Sequence, residues 1–364
     1  MADLFAELAI KDARLRNRIA VSPMCQYSAI DGIANHWHLV NLGARAVGGA
    51  GLVVAEASAV SPEGRITLGD VGLWNDAQAD AYRPIVRFIA EQGAVPGVQL
   101  AHAGRKASAN RPWEGDNHID PDDPRGWDII GPSDNAFGAN LPRAPKAMSV
   151  EEIARVQADF VAAARRALDA GFVLAELHFA HGYLGQSFFS PLANRRTDRY
   201  GGSFENRIRF LVETFDAVRA VWPERLPLAV RLGVVDFHAG EQALDESVDL
   251  VRRLAARGLD MVDVSMGFNT PDVSGVPWSE PGFLGPLAAR IRAETGVCTA
   301  TSWNIRDPAH ADRMIGDGQV DLVMLGKAML ADPHWPYHAA QALGRPRPHA
   351  LLPVQYASWL KRYA

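Results

Sequence analysis

The stretch His178-Phe-Ala-His181-Gly-Tyr183 is where chemistry is most legible in this chain. Two imidazoles three residues apart, where an apolar run turns into a loop, can converge on one small acceptor. Two N–H donors aimed at a carbonyl or nitro oxygen stabilise the negative charge that grows there, each worth about 3 kcal/mol in a transition state. A tyrosine nearby, with an ordinary pKa of about 10, suits proton donation to a carbanion or enolate. The same spacing also fits two polar loop residues with no catalytic task. A metal pair is a third reading, but neither a His-x-His on the first strand nor a nearby carboxylate ligand accompanies it.

Other polar residues sit where apolar runs end: Pro23-Met24-Cys25-Gln26-Tyr27, Glu56-Ala57, Gln99, Arg231, Ser302-Trp303 and Gly326-Lys327. Cys25 alone says little, since free cysteines are commonly small buried hydrophobes. Gln99 and Arg231 taken singly say no more. Together, an amide and a guanidinium on one face can bind the polar edge of a pyrimidine-like ring. Ser302 and Gly326-Lys327 fall where barrels commonly bind phosphate, through backbone N–H groups and a short helix N-terminus. No Walker A motif occurs, and Gly49-Ala-Gly51 lacks the third glycine of GxGxxG and opens a strand, which disfavours a Rossmann nicotinamide site. The residues by themselves point to a barrel enzyme with a phosphate-bearing ligand.

Such a site needs strands to hold it. Eight short apolar runs alternate with amphipathic stretches: Arg18–Ser22, Gly51–Ala57, Val95–Leu100, Val173–His178, Leu228–Leu232, Met261–Ser265, Val297–Thr301 and Asp321–Gly326. Most are near-continuously apolar, as parallel strands covered on both faces should be. Helical spacing runs from Ser149 to Ala170, with a start signal at Ser149-Val-Glu-Glu and a stop at Gly171. It recurs over Ser203–Val221 and over Leu244–Arg257. Eight strands each followed by a helix, in 364 residues, predict an α/β fold of the closed (β/α)8 TIM-barrel kind. An open doubly wound sheet satisfies the same periodicity. The segment Ala103–Ala147 breaks the rhythm, with six prolines and no regular pattern. Following the third strand, it is expected to be a lid or insertion over the C-terminal face, within one domain spanning 1–364.

Composition narrows the function. Hydrophobic residues make up 48% and charged ones 22%, the balance of a soluble globular protein. A net charge of −5 lacks the positive footprint that nucleic acid requires. No run of about 18 apolar residues suggests a membrane span, and the N-terminus does not read as a signal peptide. Two cysteines, Cys25 and Cys298, cannot build a disulfide framework or an iron–sulfur site. A cytoplasmic enzyme is expected.

The run Ser190-Pro-Leu-Ala-Asn194-Arg-Arg-Thr-Asp198-Arg-Tyr200-Gly-Gly-Ser-Phe-Glu205-Asn-Arg207-Ile-Arg-Phe closely resembles the signature of the old yellow enzyme family of FMN-dependent ene-reductases. The likeness covers essentially the whole chain. Pro23-Met24-Cys25-Gln26-Tyr27, His102-Ala-Gly-Arg-Lys106 and the His178–Tyr183 stretch resemble the thermophilic-like subgroup, and Trp303 and Trp359 are similar to xenobiotic reductases. The resemblance implies one non-covalent FMN at the barrel mouth, with NADPH or NADH as donor and an enone or nitro compound as acceptor. Ser22, Pro23, Met24 and Cys25 would line the flavin, the Cys25 thiol tuning its potential, and Ala57 would touch the ring through backbone. Gln99 and Arg231 would bind the pyrimidine edge, Arg231 also stabilising the anionic reduced flavin. Ser302, Trp303, Gly326 and Lys327 would complete the cofactor site. His178 and His181 would grip the substrate oxygen, Tyr27 would assist, and Tyr183 would protonate the α-carbon after hydride reaches the β-carbon.

Three departures stand out. Lys327 occupies a position where the family usually has arginine, exchanging a planar fork on phosphate for a point charge, with a modest loss of FMN affinity expected. Ser302-Trp303-Asn304 replaces a glycine-containing phosphate turn. Ser358 falls where many relatives place an arginine that reaches a neighbouring subunit's site, which leaves Trp359 as an aromatic wall or as a packed interface residue. A homodimer or homotetramer with the 350–364 tail near the interface is expected. The alternatives are a flavin-dependent nitro-ester or quinone reductase, a metal-dependent barrel hydrolase using His178 and His181, and a non-catalytic flavin-binding barrel.

Overall fold

Side-chain parity along eight parallel strands arranges everything else in the molecule. The computed structural model describes residues 2–363. Its strands are β1 (Ile19–Val21), β2 (Leu52–Ala59), β3 (Val95–Ala101), β4 (Leu174–Phe179), β5 (Leu228–Val235), β6 (Met261–Met266), β7 (Cys298–Thr301) and β8 (Leu322–Leu325). Each pairs in parallel with its successor, and β8 pairs back onto β1 through Val323 and Ile19, so the barrel closes. Closure excludes the open doubly wound sheet.

Every second residue faces the barrel axis. At the N-terminal end the inward set is apolar: Ala20, Leu52, Val54, Leu174, Ala229, Met261, Ala300, Leu322 and Met324 pack into one cluster. A hairpin of Leu8–Ile10 with Ala13–Leu15 plugs that end, contributing Ile10, Ala13 and Leu15 to the cluster. Two residues further along β4, β5 and β6 the same parity yields Glu176, Arg231 and Asp263, level with Gln99 on β3, all buried. A further step gives Ser22, Glu56, His178, Ser265, Ser302 and Gly326. The barrel is thus oily below, charged in the middle and polar at the mouth.

The middle layer is held by one hydrogen bond and one ion pair. In register, Gln99 lies opposite Glu176 and Arg231 opposite Asp263. Gln99 Nε2 donates to Glu176 Oε1 at 2.7 Å, and Arg231 Nε pairs with Asp263 Oδ2 at 3.1 Å. The guanidinium is thus paired with the Asp263 carboxyl, and its charge also acts on the buried Glu176. Burial, then the Asp263 charge, pushes Glu176 up to about 8. Burial also raises Asp263, with the Arg231 charge opposing.

An outer ring of helices covers the barrel: α1 (His36–Val47), α2 (Asp76–Glu91), α3 (Val150–Ala170), α4 (Arg209–Arg219), α5 (Leu244–Ala255), α6 (Gly285–Thr295), α7 (Pro308–Gly316) and α8 (Trp335–Ala342). The α3 boundaries match the sequence signals: Ser149 and Glu152 form a capping box, and Gly171 ends the helix at φ +98°. The Ser203–Val221 expectation is corrected. A short turn, Phe204–Arg207, leads into α4 through Ile208, which keeps helical backbone at φ −79° and ψ −12° and bonds its N–H to the Phe204 carbonyl, while the buried Arg207 bonds Phe189 and Glu246. α4 then stops at Arg219, whose guanidinium takes the Trp222 and Pro223 carbonyls. α5 likewise ends at Ala255, two residues before Arg257. β5 runs on past Leu232 to Val235, so Arg231 lies within the strand rather than closing it.

The insertion 103–147 is not structureless. It holds one-turn 3-10 segments at Gly104–Lys106 and Pro112–Glu114, and pairs Ile130–Gly131 with Lys146–Ala147. Prolines bar long elements, so side chains fasten it: Arg143 bonds Ser108 Oγ and the Ile119 and Trp127 carbonyls, and Trp127 Nε1 donates to the Glu63 carbonyl. Among the described residues no helix is long and apolar enough to cross a membrane.

The charged layer generates a pH prediction. Folding lifts the Glu176 carboxyl from its ordinary range to about 8, so the folded chain keeps a proton that the unfolded chain releases between about pH 4 and 8. Stability falls as pH rises through that window, by up to about 1.4 kcal/mol per unit. Glu176→Gln never ionises and escapes this fall. Its melting temperature relative to wild type should therefore climb from pH 5 to pH 8; a difference independent of pH would show that Glu176 ionises freely.

Candidate active site

The mouth of the barrel gathers three rings. His178 lies one residue before the end of β4, His181 follows in a left-handed turn at φ +62°, and Tyr183 caps the six-residue helix Leu184–Phe189. The His178 ring lies 4.9 Å from that of His181 and 5.0 Å from that of Tyr183, each edge to face. Gly182 makes the turn feasible: at φ +68° it takes a conformation that side chains avoid, and a Cβ there would collide with the Phe268 carbonyl oxygen.

Burial determines the charge state of this trio. Desolvation, reinforced by the nearby Arg231 cation, holds both imidazoles well below the usual histidine range. Desolvation also pushes the Tyr183 phenol up. At neutral pH the site presents two neutral imidazoles and a protonated phenol. His178 Nδ1 is buried without a partner. His181 Nε2 lies 2.8 Å from Ser265 Oγ, and the Trp303 indole N–H points at the same oxygen at 3.3 Å. The serine oxygen accepts from the indole and shares a second hydrogen bond with the His181 ring, which fixes the ring's orientation.

The other expected residues surround this trio. Arg231 crosses the mouth, with Nη1 on Ser22 Oγ at 3.3 Å and Nη2 on Ser302 Oγ at 3.1 Å. Gln99 spends its N–H on Glu176, leaving its carbonyl oxygen as an acceptor. Pro23 and Met24 are half-buried, and Ala57 is buried on β2. Cys25 is a neutral thiol: burial, then the carboxyls Asp70 and Glu56, push it up. That is the reverse of the electropositive setting of a nucleophilic cysteine. Tyr27 stands at φ +50°, its carbonyl held by Arg111 Nε at 3.0 Å, and its ring meets Trp113 of the insertion edge-on at 6.1 Å. Lys327 opens the short helix Lys327–Ala331 behind Gly326, with its side chain exposed.

Trp359 is not brought to this chain's own site. It lies on the C-terminal helix Val354–Leu360, 78% exposed, and pairs with no other ring. Trp303 is brought in, 6.1 Å from His181. It joins an aromatic wall the sequence reading did not name: Phe268 lies 5.5 Å from Trp303 and stacks on Trp278 at 6.1 Å. Also missed were Glu176, Asp263 and Ser265, although a charge inside an apolar strand, two residues before a mouth position, was a usable signal. Glu56 was noted without a role; its Oε1 accepts the Gln26 N–H at 2.8 Å and anchors the Cys25 loop.

This donor set suits a flavin. A planar pyrimidine edge needs an amide acceptor and a cation side by side, which Gln99 and Arg231 supply, and the unpartnered His178 Nδ1 leaves a polar atom for a ligand above them. By contrast, among the described residues no group of three or more His, Cys, Asp or Glu is placed to hold a metal.

Comparison with known proteins agrees. Residues 3–345 match the NADH:flavin oxidoreductase / NADH oxidase family. The NADPH dehydrogenase of Geobacillus sp. (strain WCH70) is 40% identical over 343 residues, 94% of each chain. That of Bacillus subtilis (strain 168) is 38% identical over 97% of this chain and 98% of its own. The structure of morphinone reductase in complex with tetrahydroNAD superposes with a TM-score of 0.77 at 27% identity, over 99% of this chain and 97% of that one. The chain belongs to the NADH:flavin oxidoreductase family, the old yellow enzyme group, and is an FMN-dependent oxidoreductase that takes its electrons from NAD(P)H.

Proposed function

We propose that this enzyme reduces the activated C=C bond of α,β-unsaturated carbonyl compounds, and nitro compounds by the same site. The observation that carries the reading is the convergence of two neutral imidazoles and a protonated phenol at the barrel mouth. FMN, when bound, takes a hydride from NAD(P)H and passes one to the acceptor. Gln99 and Arg231 would hold its pyrimidine edge, Ser22, Pro23, Met24, Cys25 and Ala57 would line it, and Ser302, Gly326 and Lys327 would hold its phosphate. His178 and His181 donate to the acceptor's oxygen and draw charge off the double bond. Because they are neutral, each gives one hydrogen bond and neither protonates the enolate. Tyr183 gives its proton to the α-carbon, and Tyr27 closes the opposite side. Nicotinamide and acceptor share one pocket, so they bind in turn and the kinetics are ping-pong.

The wall of Phe268, Trp278 and Trp303 favours flat acceptors, which supports aromatic nitro compounds and quinones as a second substrate class. Trp359 serves a neighbouring copy in a homodimer or homotetramer. The exposed apolar side chains of the tail, Val354, Tyr356, Trp359 and Tyr363, support that placement.

Two variants test these roles. Tyr183→Phe should slow the oxidative half-reaction about 10²- to 10⁴-fold, while flavin bleaching by NADPH stays close to wild type. Equal slowing of both halves would remove Tyr183 from the acid role. Trp359→Ala should lower kcat/KM for cyclic enones about two- to tenfold. Unchanged values for every enone tried would end the wall idea.

A further inference from the structure

Lys106 has no part in the roles above, yet its amine is buried where charge is costly. The side chain leaves the Gly104–Lys106 turn just past β3. Its Nζ donates to the carbonyl oxygen of His181 at 2.7 Å and to that of Phe268 at 2.9 Å. It also lies 4.1 Å from the centroid of the Phe137 ring. One amine thus joins the turn after β4, the turn after β6 and the insertion. Both carbonyls belong to residues in left-handed backbone, at φ +62° and +50°. Gly182, between them in space, admits no Cβ without striking the Phe268 carbonyl oxygen and crowding Lys106 Cε and Nζ at 2.8 Å. Burial draws the amine down to about 7. An apolar side chain of equal length would fill the space without that desolvation, so the two donated bonds are what the lysine adds.

We infer that Lys106 is a positioning residue: by tying the His181 and Phe268 carbonyls together, it holds the turn that aims the His181 imidazole and carries the Tyr183 phenol. This rests on the ene-reductase reading above. A misplacement of about 1 Å at such groups costs about 100-fold in rate. The two halves of turnover depend on the clamp unequally. Both ligands enter the pocket that the histidine pair lines, but only the oxidative half uses the Tyr183 proton.

The test uses the FMN-loaded enzyme and three variants: Lys106→Met, close in length, Lys106→Gln, which keeps an N–H₂ donor, and Gly182→Ala. Hydrogen exchange of the peptides spanning 180–184 and 267–270 is read without substrate, and anaerobic stopped flow then reads each half-reaction. Lys106→Met should speed exchange in both peptides about tenfold, slow the oxidative half about 100-fold and the reductive half about tenfold. Lys106→Gln should recover both rates to within about threefold of wild type. Gly182→Ala forces the same carbonyls apart with the lysine intact, should show the same asymmetry, and carries the test if Lys106→Met does not fold. Unchanged exchange, equal slowing of both halves, or no rescue by glutamine would each overturn the clamp. Wild-type enzyme that NADPH bleaches but no enone recolours would instead overturn the ene-reductase reading, while exchange and the reductive half still decide the clamp.

Discussion

A single guanidinium buried among carboxyls governs how this barrel is built and what it can bind. Arg231 sits within β5 with Asp263 on one side, Glu176 nearby, and the hydroxyls of Ser22 and Ser302 across the mouth. Removing such a cation would leave buried carboxylate charge unpaired, a penalty of several kcal/mol. Removing the carboxyls would leave the guanidinium free to swing out of the plane that a pyrimidine edge requires. Each charge in the layer exists to hold another in place, and the apolar cluster beneath and the ring of helices outside keep water from relieving them.

That enclosure also decides protonation at the mouth. Desolvation outweighs every local attraction at His178, His181 and Tyr183, and the Arg231 charge adds to it at the imidazoles. The outcome is a set of neutral donors over a cationic floor. In the proposed reaction such neutral donors stabilise growing charge without supplying a proton prematurely, and the one proton to be delivered is assigned to the phenol beside them. Ser265 completes the arrangement by engaging His181 Nε2, which orients the ring. Cys25 fits the same logic as an un-ionised thiol near two carboxyls, the reverse of a nucleophile's setting.

Much of this architecture is legible in the chain because it follows short-range rules. Ser149 and Gly171 bound α3 by capping chemistry, and near-continuous apolar runs mark strands buried on both faces. The mouth residues can be found because they end those runs. What escaped depends on tertiary approach. The buried Arg207 belongs to a helical stretch by its spacing, but its partners Phe189 and Glu246 come from other elements. The insertion reads as loop because its order rests on Arg143 and Trp127, whose partners lie far along the chain. Lys106 is visible in His102-Ala-Gly-Arg-Lys106, but its two carbonyl partners, at positions 181 and 268, cannot be paired without the fold. Glu176 and Asp263 were within reach, since counting inward parity from His178 and Ser265 lands on them.

The most direct measurement follows the visible spectrum of the purified holoenzyme with air excluded, first on adding NADPH and then on adding cyclohexenone. The account predicts that the yellow colour bleaches with the first and returns with the second as the ketone forms. A flavin that bleaches but stays reduced with cyclohexenone and every other enone supplied would contradict it.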